Sequence, residues 1–340
     1  MPLKMTIEQL YKEITTKGNS LCYPFDYRTQ NIDFFSYWKL LVDKYLLLVS
    51  QLTPIDVARL NSAFDWLPPQ FKPKKKHYFL RDVKAIAEAT RDFYNLSFGC
   101  RNDDAFMKMR KFMTDNQGFY FRMLPRFETV GSTWYRVRSN LGIKPNYDDG
   151  EMFHIPFELR EKVGASRFGF PGYPILYLAG SLETALCELN NPWPYVCAKF
   201  KICEHITLLD MSFPWKINID TWEYYSILAF YPLLIGCMVR VKEPQDNYKP
   251  EYVLPQTLTK ILRDFSDDFA GIIYMSNKTT EPIDNLKARN IALLVDNTNA
   301  RSGYDTKSLA PKLKMNDPTY VLTNQVTPLL NNNFHSLQLP

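Results

Sequence analysis

The chain has no C-x-x-C pair, only four histidines and no apolar run long enough to span a bilayer. Its six cysteines (Cys22, Cys100, Cys187, Cys197, Cys203 and Cys237) are scattered over 340 residues. Cys197, Cys203 and His205 form C-x5-C-x-H, a poor zinc spacing inside an apparent strand, so the cysteines read as buried free thiols in a reducing cytosol. No zinc or other metal is expected. His77, His154, His205 and His335 are not obviously placed for catalysis. The balance of 41 basic against 36 acidic residues is too mild for a nucleic-acid footprint, which needs a basic stripe. The densest basic run, Lys72-Pro73-Lys74-Lys75-Lys76, reads as a solvated loop between helices. The N-terminal MPLKMTIEQLYKEI does not suit a signal peptide. The longest apolar stretch, Tyr224–Val239, is short and contains Pro232, so it reads as a core segment. A soluble, cytoplasmic protein without a nucleic-acid or membrane partner is expected.

What the chain does hold is apolar mass, 46% hydrophobic and 15% aromatic, enough for a substantial core. Residues 1–127 read as a helical domain. Phe34, Phe35, Trp38, Leu41, Val42, Tyr45 and Leu48 recur at helical spacing. Thr53-Pro54 is a helix start, continued by Val57, Leu60 and Phe64 and ended by Pro68-Pro69. Val83, Ile86, Ala87 and Phe93 mark another helix, and Phe106, Met109, Phe112 and Met113 a last one ending near Gly118. Past Phe127 the pattern changes to short apolar segments between Gly, Pro and Asn turns. They are Trp134–Val137, Ile175–Leu178, Tyr195–Phe200, Ile206–Leu209, Gly271–Tyr274 and Ile291–Val295, with helices near 181–190 and 255–264. That is an α+β domain over 128–300. Residues 301–340 show no clear period and read as a tail packing on or near it.

Candidate chemistry concentrates between Trp134 and Asn190. In SLETALCELNN, Ser181 is a plausible N-cap, and Leu182, Ala185, Leu186 and Leu189 form an apolar stripe with Glu188 on its flank. Upstream, Ser166-Arg167-Phe168-Gly169-Phe170-Pro171-Gly172 is a turn that lets a ligand approach the backbone. Tyr135-Arg136-Val137-Arg138 reads as a strand whose two arginines share a face. An inward arginine there needs an anionic partner, either a carboxylate or a ligand phosphate.

These pieces, in this order, resemble the RES domain. The resemblance rests on Tyr135-Arg136, Arg167-Phe168, Leu176-Tyr177, Ala185-Leu186-Cys187-Glu188, Glu251–Gln256 and Gly271-Ile272-Ile273-Tyr274-Met275-Ser276, over roughly residues 130–297. It departs from the family pattern where the usual Arg-Trp-Asn turn is Arg167-Phe168-Gly169.

The resemblance implies an ADP-ribosyltransferase-like fold of short twisted sheets with flanking helices. It implies a bacterial toxin of a toxin–antitoxin pair that consumes NAD as substrate, not cofactor, by phosphorolysis or hydrolysis at the nicotinamide–ribose bond, an NAD phosphorylase being a glycosyltransferase to phosphate. Arg136, Glu188 and Ser276 then carry the catalysis, with Tyr135, Arg138, Arg167, Tyr177 and Tyr274 binding substrate. Nicotinamide leaves as a neutral molecule, so no acid is needed. Glu188 faces the positive charge that gathers on the ribose. Arg136, preferred over Arg138 because it follows Tyr135, holds the diphosphate or the incoming phosphate. Tyr177 stacks or bonds at the ribose, and Ser276 orients the ribose or the nucleophile. Arg136, Tyr177, Glu188 and Ser276 are expected to line one cleft.

Inorganic phosphate is the candidate co-substrate, and a separate antitoxin or a regulator acting on the helical domain the candidate partner. An ADP-ribosyltransferase acting on a macromolecule is the alternative enzyme. No E-x-E acceptor motif occurs in the chain, which argues against it. A catalytically inactive binding module is the third reading.

Overall fold

A computed structural model describes residues 4–63, 78–142, 144, 146–212, 221–264, 268–279, 285–296, 301–322 and 332–339. The Lys72–Lys76 run and the expected helix stop at Pro68-Pro69 lie outside the described residues. The chain divides into two compact units, residues 1–125 with 213–257, and residues 126–212 with 258–340. Sequence reading placed residues 213–257 in one continuous stretch with 128–300.

The first unit is helical. It contains α1 (Ile7–Thr15), α2 (Phe34–Ser50), α3 (Pro54–Asn61), α4 (Phe79–Phe98), α5 (Asn102–Arg122) and α8 (Trp222–Met238). Thr53 caps α3 by accepting from the Asp56 N–H, with Pro54 in the first turn, where a missing N–H costs nothing. Helix α8 is apolar on every side and buried from Tyr224 to Met238, as a central core helix must be. Pro232 cannot donate to the carbonyl one turn back. Leu228 O instead accepts from the Tyr45 hydroxyl at 2.6 Å. Among the described residues no helix is long and apolar enough to cross a membrane.

The second unit is built on a sheet. Its strands are β1 (Arg126–Thr129), β2 (Thr133–Ser139), β3 (Ile175–Ala179), β4 (Tyr195–Ile202), β5 (Ile206–Met211), β6 (Gly271–Met275), β7 (Arg289–Leu294), β8 (Leu313–Asn316), β9 (Thr319–Val321) and β10 (Phe334–Ser336). Among the described residues they order as β1-β5-β6-β7-β3-β2-β4-β8-β10, with β9 also on β4. All pairs are antiparallel except β5–β6. A parallel pair needs a long crossover. Here residues 213–257 and α9 (Pro250–Asp264) lie within it. The α+β class therefore holds, with a helical N-terminal region followed by a sheet. The last forty residues, expected as a tail packing on or near this domain, supply three short strands to its sheet among the described residues.

Side chains alternate across this sheet. One face buries Trp134, Leu176, Leu178, Ile273, Ile291 and Leu293 together with Met152 of α6 (Asp149–Met152), Phe153 and Phe157. The other packs Val137, Ala179, Cys197 and Val321 against Leu182 and Ala185 of α7 (Leu182–Glu188). That second face carries the residues of interest below.

Candidate active site

Helix α7 delivers Glu188. Ser181 caps it by accepting from the Thr184 N–H at 3.1 Å, and Leu182 and Ala185 anchor it on the sheet. The β3–α7 turn needs Gly180, since a Cβ there would stand 2.2 Å from the Leu286 carbonyl oxygen. The missing side chain lets the turn press against the segment entering β7, with Gly180 N–H donating to Arg289 O at 2.7 Å. The helix ends on Asn190 and Asn191 at φ 59° and 52°, a left-handed conformation that Asn tolerates. Glu188 is thus the last helical residue, half-buried over the sheet.

A single lateral row crosses the sheet beneath it. Tyr135 pairs with Ala179, Ala179 with Asn290, and Asn290 with Tyr274. Side chains in such a row share a face, and Tyr177 and Ser276 stand on the same face two residues along their strands. Glu188 Oε1 accepts from Ser276 Oγ at 2.6 Å and from Asn290 Nδ2 at 2.6 Å. Ser276 is itself fixed, its Oγ accepting the N–H groups of Lys278 and Thr279 at 3.2 Å each. Lys278 Nζ donates to Glu188 O at 2.7 Å, where a cation suits a helix C-terminus. Among the described residues, Glu188 Oε2 accepts no hydrogen bond. The carboxylate is held by one oxygen and presents the other.

The altered turn lies against the same row. Phe168 is buried with its ring centroid 4.8 Å from that of Tyr274. The Tyr177 hydroxyl meets Ser166 Oγ at 2.7 Å. A Cβ on Gly169 would stand 2.5 Å from Ser166 Oγ and 3.2 Å from Tyr177 Oη, so the glycine at this position is what admits the turn. Arg167 is half-buried beside it. Burial raises the Tyr135 phenol above its ordinary range.

Arg136 arrives from the other side. It lies two residues from the core Trp134 and so leaves β2 on the face opposite Tyr135. Strands β2 and β3 share only the Tyr135–Ala179 pair, although β2 pairs β4 along seven residues and β3 pairs β7 along five. Where their ladder stops, Arg136 Nη1 donates to Tyr177 O at 3.3 Å. Its Nε is buried and, among the described residues, has no hydrogen-bond partner, nor does any carboxylate pair with the guanidinium. Burial, with Arg138 as a second cause, pulls Arg136 down to about 9. It stays charged at neutral pH and, among the described residues, has no carboxylate counter-ion.

Arg138 is exposed and donates to the Glu151 carbonyl of α6. His154 is a core residue. Its Nε2 accepts from Asp305 N–H at 2.9 Å, so Nδ1 is the donor to Ile155 O at 2.7 Å. Burial pushes it down to about 4, which keeps it neutral.

The RES domain profile matches residues 133–310, just over half of the chain. The chain belongs to the RES domain family. It is 31% identical over 159 residues to "Putative toxin YopC" of Bacillus subtilis (strain 168), covering 42% of this chain and 36% of that protein. It thus spans about a third of that relative's length. Among solved structures, the M. tuberculosis MbcT-MbcA toxin-antitoxin complex aligns with a TM-score of 0.33 and 11% identity, covering 57% of this chain and 87% of the other.

Within this RES domain the structure brings Tyr135, Tyr177, Glu188, Tyr274 and Ser276 to one face of the sheet. It brings Arg136 to the Tyr177 backbone from the opposite face and leaves Arg138 on α6. No hydrogen bond or ion pair among the described residues joins Arg136 to Glu188. Of the Glu251–Gln256 segment, Glu251 is buried in the helical unit and accepts from Tyr27 Oη at 2.6 Å and Lys242 N–H at 2.9 Å. Sequence reading missed Asn290. The available signal was one buried amide in the apolar run Arg289-Asn290-Ile291-Ala292-Leu293-Leu294.

Proposed function

We propose that this chain cleaves NAD at the nicotinamide–ribose bond. The observation that carries the reading is the 2.6 Å bond between Ser276 and Glu188, residues 88 apart in sequence, which holds one carboxylate oxygen and leaves the other without a hydrogen bond among the described residues. RES-family membership supports the reading.

In the proposed step the bond from nicotinamide nitrogen to ribose C1″ breaks and its electron pair stays on nitrogen. Nicotinamide leaves neutral, so no acid is required, in keeping with a neutral, buried His154. Positive charge gathers on the ribose ring, and the Glu188 carboxylate stabilises it through Oε2. Arg136, at the opening between β2 and β3, takes the diphosphate or an incoming phosphate through its N–H donors. Tyr177 spans the two parts, its carbonyl on Arg136 and its ring on the Glu188 face. If phosphate attacks C1″, the product is ADP-ribose 1″-phosphate. If water attacks, one proton is released and the product is ADP-ribose. The relative described as a toxin supports a toxin role for this chain, with a separate antitoxin as its silencing partner.

The test incubates purified protein with NAD, with and without inorganic phosphate, and identifies products by mass spectrometry. Nicotinamide release with a phosphate-dependent second product supports phosphorolysis, and release with ADP-ribose alone supports hydrolysis. No loss of NAD under either condition overturns the reading.

A further inference from the structure

We propose that Asn290 is a positioning residue for Glu188, an inference that rests on the NAD-cleaving reading above. Asn290 is 2% exposed and sits 102 residues from its partner, in the central strand between β3 and β6. Its Nδ2 reaches Glu188 Oε1 at 2.6 Å. The orientation of the amide follows from chemistry, because an ionised carboxylate only accepts. Its Oδ1 is buried and, among the described residues, has no hydrogen-bond partner.

A core amide that serves stability fills both ends, because an unmet buried acceptor costs about 1–3 kcal/mol. Asn290 accepts that cost and directs its amide nitrogen to a half-buried carboxylate. The neighbours on its face of β7, Ala292 and Leu294, are apolar, and an apolar residue at 290 would continue the pattern. What the amide adds is aim. Ser276 approaches Oε1 from the end of β6 and Asn290 from the floor of the sheet. Two donors from different strands, converging on one oxygen, fix the plane of the carboxylate and direct Oε2 away from the sheet. A preorganised charge of this kind needs no rearrangement as the ribose cation forms. Asn290 acts through Glu188.

Two variants test this. Asn290→Ala removes the donor. Asn290→Asp keeps the shape and replaces the donor with a carboxyl that donates only when protonated. Both are checked for folding by thermal melt and assayed for NAD turnover from pH 5 to 8, with native protein alongside. The expected result for Asn290→Ala is a kcat lowered roughly tenfold to a hundredfold with KM nearly unchanged, the cost of a misaligned group. Asn290→Asp is expected to lose activity near neutral pH and regain part of it as the pH falls. A structural role would lower activity without that pH-dependent recovery. Native-like turnover by folded Asn290→Ala, an Asn290→Asp profile parallel to native, or failure of both variants to fold overturns the inference. Absence of turnover by native protein would instead overturn the NAD-cleaving reading.

Discussion

Two arginines of the sheet unit meet burial in different ways. Arg289 opens β7, is fully buried, and lies in the field of Asp210 on β5. Burial pulls it down to about 10 while Asp210 works against that shift. Asp210 is raised by its own burial, and its Oδ1 accepts the Ser212 N–H at 2.8 Å. Arg136 has a second arginine for a neighbour and, among the described residues, neither a paired carboxylate nor a partner for its buried Nε. One charge has a carboxylate in its field within the fold. The other, among the described residues, has none, and in the proposed reading an anion supplies it. A buried arginine in sequence is compatible with either, and the counter-ion decides between a structural and a ligand-binding role.

The largest expected effect breaks the compensated side. Arg289→Ala leaves Asp210 buried without its opposing charge and is expected to destabilise the protein by roughly 3–5 kcal/mol, read from chemical denaturation. Arg136→Ala is expected to keep or slightly raise the melting temperature while NAD turnover falls roughly a hundredfold. A similar stability loss in both variants would erase the contrast. Ser276→Ala removes one of the two donors to Glu188 and the acceptor of its own turn. Turnover is expected to fall roughly tenfold, with about 1 kcal/mol of stability lost.

His154 sharpens the comparison in another way, as a buried base beside Arg136 that is kept neutral. Its folded value of about 4 lies below the ordinary 6.5. Between those values the unfolded chain binds more protons, so stability falls as pH drops from 6.5 toward 4, by on the order of 3 kcal/mol in full. His154→Gln is expected to flatten that slope of stability against pH without changing the activity profile near neutrality. The smallest effect belongs to Arg138→Ala, exposed and engaged with α6, where turnover is expected to stay within about twofold of native.

Periodicity made much of this fold legible. The stripe from Phe34 to Leu48 is α2, Thr53-Pro54 opens α3, and the six expected strands are all present. The missing pieces have physical reasons. Strands β8, β9 and β10 are three or four residues long, too short for alternation to register above the Asn- and Pro-rich background. Residues 213–257 group with the first unit through α8, and a helix apolar on every side carries no stripe to say which core it enters. At the site, the arrangement of Glu188 on its helix flank and the shared face of Arg136 and Arg138 could be read from spacing. That Arg136 leaves the strand opposite to Glu188, and meets Tyr177 where the β2–β3 ladder stops, depends on pairing between distant segments. Asn290 escaped for the same reason, since its role exists only once β7 lies beside β3 and β6.

The most direct measurement is the rate of nicotinamide release from NAD by native protein and by Glu188→Gln, with both shown to be folded. A carboxylate that faces the ribose cation predicts release by native protein and a drop of roughly a thousandfold in kcat for the variant, with its melting temperature little changed. Equal rates in the two proteins would contradict the role of Glu188 at the reacting bond.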